Sequence, residues 1–184
     1  FDGEEAAFDL IRCGRDHYAI NICSIGFDAR IGTEIVRYKR LPGVTGSGAY
    51  ILSTAVNFIR GIHAPYTVEI DGEVFEGEYL FGAVCNSTSI AGLMKLSPDA
   101  VDLCDGQFEL MLVPVPKTPL QLQRTIRAIV YEEYETSNAL IFRHVRHVTA
   151  ESDGSIPWTL DGEYAPGVPK IEIGIENNGI QMMI

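Results

Sequence analysis

Apolar and polar positions alternate through most of the chain, and two-residue periodicity dominates. In "FDLIRCGRDHYAINICSIGFDARIG", Phe8, Leu10, Ile20, Ile22 and Ile25 recur at mostly even spacing around the polar turn Gly14 to Asp16. That is the period of a half-buried strand pair, so a hairpin is expected to open the domain. "YTVEIDGEVFEGEYLFGAVCNS" alternates on both sides of Asp71 and Gly72 and predicts two or three antiparallel strands, with Glu69, Glu73, Glu76 and Glu78 directed mainly to solvent. "GQFELMLVPVP", "ALIFRHVRHVTAES", "SIPWTLDGEYA" and "PKIEIGIENNGIQMMI" carry the same strand character.

Three stretches break the alternation with a longer period. From Ala29 to Arg40 the positions Ile31, Ile35 and Tyr38 are spaced four and three apart, and Pro42 with Gly43 ends the run after the basic turn "RYKR". Tyr50 to Ile62 carries Ile51, Leu52, Ala55, Val56, Phe58 and Ile59 on one helical face. In "TPLQLQRTIRAIVYEEYE", Thr118 is the expected N-cap, Pro119 the first helical residue, and Leu122, Ile126, Ile129 and Val130 the expected buried stripe. About ten short strands against three helices, with turn signals every eight to twelve residues, predict a mainly β, α+β fold. The expected architecture is one antiparallel β-sandwich-like domain over residues 1–184, decorated with about three helices. No βαβ alternation, no G-x-G-x-x-G and no G-x-x-x-x-G-K-[ST] is present, so a nucleotide-binding doubly wound sheet is not expected within this chain.

Composition narrows the partners. A formal charge of -11, from 25 acidic and 14 basic residues, repels a phosphate backbone and argues against nucleic acid. Cys13, Cys23, Cys85 and Cys104 show no C-x-x-C pair and no zinc spacing, and read as reduced thiols of a cytoplasmic protein. No stretch reaches the roughly 18 uninterrupted apolar residues of a bilayer span, so any membrane contact is expected to be peripheral. The start without Met in "FDGEEAAFDLI" suggests a chain cut from something longer.

Candidate chemistry is sparse. "SPDAVDLCDGQFEL" places Asp99, Asp102 and Asp105 three apart without EF-hand spacing; such a turn suits Mg²⁺ or a hairpin closed by Asx bonds. His144 and His147, three apart on a strand, fall on opposite faces and cannot share a metal, while His17 and His63 stand alone. Ser24 lacks the G-x-S-x-G elbow. Arg37, Lys39 and Arg40 ahead of "LPGVTGSG" could receive a phosphate or form a solvated helix end. The tripeptide Asp-Gly-Glu occurs twice, at Asp71 to Glu73 and Asp161 to Glu163. Asp-Gly between apolar runs is the signature of a tight hairpin, so both copies read first as turns. The second also carries two carboxylates two positions apart, a spacing that could divide general-base work from metal or hydroxyl positioning.

Three segments in order, "NICSIGFDARIG", "GLMKLSPDAVDLCDGQFELMLV" with the downstream "PKTP", and "LDGE", resemble the bacterial diacylglycerol kinases and related lipid kinases, with sphingosine and ceramide kinases as more distant kin. The resemblance implies the C-terminal, lipid-binding β-sandwich half of a two-domain kinase, akin to the corresponding domain of NAD kinases. The N-terminal nucleotide-binding domain is then absent from this chain and acts in cis. Carried over by residue, Glu163 matches the proton acceptor for the lipid hydroxyl and Asp161 stands beside it. Asp105, with Asp102 and Gln107, matches a structural Mg²⁺ loop. The resemblance further implies ATP and Mg²⁺ as cofactors, a diacylglycerol-like lipid substrate reached peripherally at the membrane surface, and room for a homodimer; the isolated fragment is expected to be inactive. Ala91 and Leu93 stand where family members commonly carry glycine, and a Cβ at each narrows the backbone's range. The alternative from another class is a non-catalytic module that holds an acyl chain in its apolar interior.

Overall fold

The computed structural model describes residues 3–26, 64–90, 94–96 and 101–183. Thirteen strands and one helix are formed among them: β1 (Glu5–Cys13), β2 (His17–Ala19), β3 (Ile22–Gly26), β4 (Ala64–Ile70), β5 (Glu73–Cys85), β6 (Ser89–Ile90), β7 (Met94–Lys95), β8 (Phe108–Pro114), α1 (Pro119–Val130), β9 (Ile141–Val145), β10 (His147–Glu151), β11 (Trp158–Leu160), β12 (Glu163–Ala165) and β13 (Lys170–Met183). The mainly β, antiparallel expectation holds. The helices expected over Ala29 to Arg40 and Tyr50 to Ile62 lie outside the described residues, so α1 is the one helix described where about three were expected.

The architecture differs from two separate stacked sheets. Eleven strands form one curled antiparallel sheet ordered β12-β11-β3-β5-β4-β10-β13-β1-β2, with β8 on β5 and β9 on β8; β6 and β7 pair apart. The long β5 causes the curl. Residues 73–79 pair with β4, residues 81–85 pair with β3, and β8 runs along Tyr79 to Cys85 with a register shift between Tyr79 and Phe81. A strand that changes partners midway must bend, and the irregularity supplies the bend. Sequence periodicity sees each strand's two faces but not which strands share an edge.

Because strand side chains alternate, the sheet presents two apolar faces. On β8, Phe108, Leu110 and Leu112 enter the larger core with Ile11, Val68, Val148, Trp158 and Ile173. Met111 and Val113 enter a second core with Phe81, Cys85, Tyr134, Leu140 and Phe142, which α1 covers through Ala128. Each large side chain so buried contributes roughly 1.5–3 kcal/mol. Cys13, Cys23 and Cys85 are buried and Cys104 is exposed, none of them in a disulfide; a hydrogen bond with Cys13, burial and neighbouring charge push the Cys23 thiol upward, so it is inert.

The start of α1 follows its sequence signals. The Thr118 hydroxyl accepts the Gln121 backbone N–H at 3.2 Å, Pro119 occupies the first turn, and the Gln121 side chain accepts the Lys117 N–H at 2.7 Å. The buried stripe is the part to correct. Thr125 and Ala128 are buried and Leu122 and Ile129 half-buried, but Ile126 is 52% exposed. Among the described residues, no helix is long and apolar enough to cross a membrane.

Candidate functional site

Both Asp-Gly-Glu copies are two-residue hairpin turns with positive φ at both central positions: Asp71 (50°) and Gly72 (84°) between β4 and β5, Asp161 (50°) and Gly162 (89°) between β11 and β12. That is the turn type whose twist matches antiparallel strands. The copies differ in what the aspartate does. Asp161 Oδ2 accepts the Ile20 N–H at 2.6 Å, and its Oδ1 accepts the Asn21 and Ile22 N–H groups at 2.8 and 2.9 Å. The Asp161 N–H donates to the Ile22 carbonyl at 2.9 Å. The carboxylate thereby satisfies three backbone donors at the step between β2 and β3 and pins the hairpin to it. Asp71 forms no such clamp among the described residues. Asp161 is thus a positioning residue, with both oxygens committed.

Glu163 is exposed, and its side chain forms no hydrogen bond or ion pair among the described residues. It lies directly across from Leu160, as Ala165 lies across from Trp158. Opposed residues share a face, so Glu163 stands at the rim of the larger core face, on the edge strand β12. Glu73 lies across from Ile70 in the same way. Local geometry alone does not separate the two glutamates; the Asp161 clamp does.

The clamp also connects to the acidic turn. The Asn21 carbonyl accepts the Asn86 N–H at 2.9 Å, and Asn86 Nδ2 donates to the Asp9 carbonyl at 2.9 Å and the Leu103 carbonyl at 3.4 Å. Asp9, only 1% exposed, accepts the Gly106 N–H at 2.8 Å through Oδ2 and the Asn178 N–H at 2.7 Å through Oδ1. Its own N–H donates to the Leu103 carbonyl at 3.0 Å. A continuous hydrogen-bonded path therefore runs from Asp161 to the 102–107 turn. Asp9 was missed in sequence reasoning; a lone carboxylate inside the alternating run "AAFDLIRC" was its signal, since a buried charge persists only where donors meet it.

Asp102, Asp105 and Gln107 share that turn, but their side chains serve the loop itself. Asp102 Oδ1 accepts the Cys104 N–H at 3.0 Å; Asp105 accepts the Gln107 N–H at 2.8 Å and its amide Nε2–H at 3.2 Å. These are Asx closures. Among the described residues, no three His, Cys, Asp or Glu side chains gather to hold a metal ion. These loop bonds engage one carboxylate oxygen of Asp102 and both of Asp105.

A second group missed from the sequence is Glu109 on β8, 3% exposed and opposite His144 of β9. His144 Nδ1 lies 3.4 Å from Glu109 Oε1, while Oε2 is buried without a hydrogen-bond partner among the described residues. Burial, opposed by a backbone hydrogen bond and assisted by the Asp105 charge, raises this carboxyl to about 7. A cavity in the apolar interior, lined by Cys23, Ile25, Tyr66, Leu110 and Trp158 among others, has about 20 Å³, room for roughly one water-sized group.

Residues 21–180 match the family described as the YegS C-terminal NAD kinase beta sandwich-like domain. A diacylglycerol kinase of Staphylococcus carnosus (strain TM300) is 28% identical over 152 residues, covering 83% of this chain and 48% of that protein. One from Staphylococcus aureus (strain JH9) is 25% identical over 163 residues, covering 89% of this chain and 50% of that protein. The chain thus spans about half the length of these curated relatives. A crystal structure of a diacylglycerol kinase from Bacillus anthracis str. Sterne superposes with a TM-score of 0.62 at 15% identity, over 98% of this chain and 54% of that one. Another structure from the same organism gives a TM-score of 0.67 at 16% identity, over 98% and 58%.

Proposed function

This chain belongs to the YegS C-terminal NAD kinase β-sandwich-like domain family, and from that premise we propose that it is the lipid-facing half of an ATP-dependent kinase acting on a diacylglycerol-like hydroxyl. The relatives' names support the activity, and their greater length supports a nucleotide-holding half elsewhere in the polypeptide. In the proposed reaction the lipid hydroxyl oxygen bonds to the γ-phosphorus of ATP. The β–γ bridging bond breaks, ADP leaves, and the hydroxyl proton passes to the Glu163 carboxylate. Mg²⁺, arriving with the nucleotide, would offset phosphate charge. Positioning dominates such transfers, so this chain alone is expected to be inactive.

The observation that carries the assignment of roles is the clamp on Asp161. Three backbone N–H groups hold the second hairpin at a fixed place on the sheet edge, which leaves Glu163 as the carboxylate there whose side chain has no partner among the described residues. The competing reading is an acyl chain stored inside the sheet; the described cavity beside Tyr66 and Trp158, about 20 Å³, is too small to hold one. The test is phosphorylation of diacylglycerol by the full-length protein. Glu163→Gln should abolish turnover while the melting temperature stays within a degree or so of the parent; retained turnover defeats the role given to Glu163.

A further inference from the structure

Helix α1 carries large apolar residues on its outer side as well as its inner one. Its buried side is made of small or half-buried residues, Thr125, Ala128, Leu122 and Ile129, while Leu120 is 55% exposed, Ile126 52%, and Tyr131, which caps its C-terminus, 70%. At 100° per residue, Leu120, Arg124, Arg127 and Tyr131 fall on one ridge along the solvent side. An amphipathic helix packed for solubility alone would put leucine and isoleucine inward and charge outward; here the outward face mixes both.

Its charge is equally out of keeping with the rest of the chain. About one residue in seven is acidic, yet between Glu109 and Glu132 there is no Asp or Glu, and Lys117, Arg124 and Arg127 all lie in that interval. Acid returns only past the helix end, at Glu132, Glu133 and Glu135; Glu133 pairs with Arg127 at 3.1 Å, both partners remaining substantially exposed. Cations beside exposed leucine, isoleucine and tyrosine are the composition of a helix lying in the plane of an anionic bilayer: guanidinium groups meet lipid phosphates while apolar side chains enter the acyl boundary. A nucleic acid offers no apolar boundary for the exposed Leu120 and Ile126.

We propose that the outer face of α1, led by Leu120, Arg124, Arg127 and Tyr131, is the surface that docks this protein on anionic phospholipid bilayers. The inference goes beyond the kinase chemistry and depends on no step of it. The test is cosedimentation of the protein with phosphatidylglycerol vesicles and with phosphatidylcholine vesicles, both free of diacylglycerol and nucleotide. Binding should require phosphatidylglycerol and weaken as salt is raised. The variant Leu120→Gln, Arg124→Gln, Arg127→Gln should partition about tenfold or more weakly, with its melting temperature retained because all three side chains lie at the surface. Val74→Gln, removing another exposed apolar residue (53%) on the β4–β5 hairpin, should bind as the parent does. Equal binding by the triple variant, equal binding to phosphatidylcholine, or no binding by the parent overturns the proposal, the last pointing to a protein partner on this face. Phosphorylation of detergent-dispersed diacylglycerol by full-length protein should be unaffected by the triple variant, so failure of the docking surface and failure of the kinase reading are separately visible.

Discussion

The twin Asp-Gly-Glu turns provide their own controlled experiment. Asp71 and Asp161 share φ of 50°, and asparagine tolerates that region as well as aspartate does, so Asp→Asn adds no backbone strain at either site. At Asp71 the change should be neutral within about 0.5 kcal/mol, since Asn-Gly is an equally favoured hairpin pair. At Asp161 one carboxylate oxygen becomes an NH₂, and either the Ile20 N–H at 2.6 Å or the pair from Asn21 and Ile22 then faces a donor. The remaining bonds lose charge assistance. Bonds to a charged group are worth roughly 1.5–3 kcal/mol each; with exposure discounting them, the expected cost is about 2 kcal/mol, or a fall of roughly 4–8 °C at this chain length. Thermal melts followed by circular dichroism at neutral pH measure both variants against the parent. Equal shifts at the two turns would refute the positional role assigned to Asp161.

Other consequences can be checked in the same way. Glu109 has a carboxyl at about 7 in the fold against 4.5 when unperturbed, so between those values the folded state binds more protons than the unfolded one. Its contribution is therefore most favourable below 4.5 and is lost as pH rises through 7, by at most about 3 kcal/mol; Glu109→Gln should flatten the melting temperature over that window and raise it at pH 8 relative to the parent, and an unchanged slope would exclude the burial argument. Gly82→Ala would drive a Cβ into the Tyr66 hydroxyl and to 3.0 Å from Ile25 Cγ2, so a loss of about 1–3 kcal/mol is expected in denaturant titration. The Asx closures at Asp102 and Asp105 predict that EDTA leaves the melting temperature unchanged; a clear fall would place a divalent ion in that turn.

Strand character, hairpin turns and the α1 cap were legible because each depends on neighbours in sequence: alternation, Asp-Gly, and Thr118-Pro119. The single curled sheet was not, because it depends on β5 exchanging partners, and nothing in "EVFEGEYLFGAVC" marks where. Ile126 was misplaced for a related reason. Helical spacing gives a stripe but not which edge of it faces the sheet, and it is Ala128 that enters the second core with Phe142 and Met111. At the site, Glu163 and Asp161 came from family likeness; that the aspartate clamps Ile20 to Ile22 is a contact across about 140 positions, which no local pattern encodes. Asp9 and Glu109 escaped because a charged residue in a strand reads as solvent-facing until its partners across the sheet are known.

In the proposed reaction Glu163, not Glu73, takes the proton from the lipid hydroxyl. The direct measurement is the rate of γ-phosphoryl transfer to diacylglycerol by full-length protein carrying Glu163→Gln, alongside Glu73→Gln. A loss of at least about a hundredfold is expected for the first and a rate near the parent's for the second. Comparable rates in the two variants, whether both high or both low, would contradict that role for Glu163.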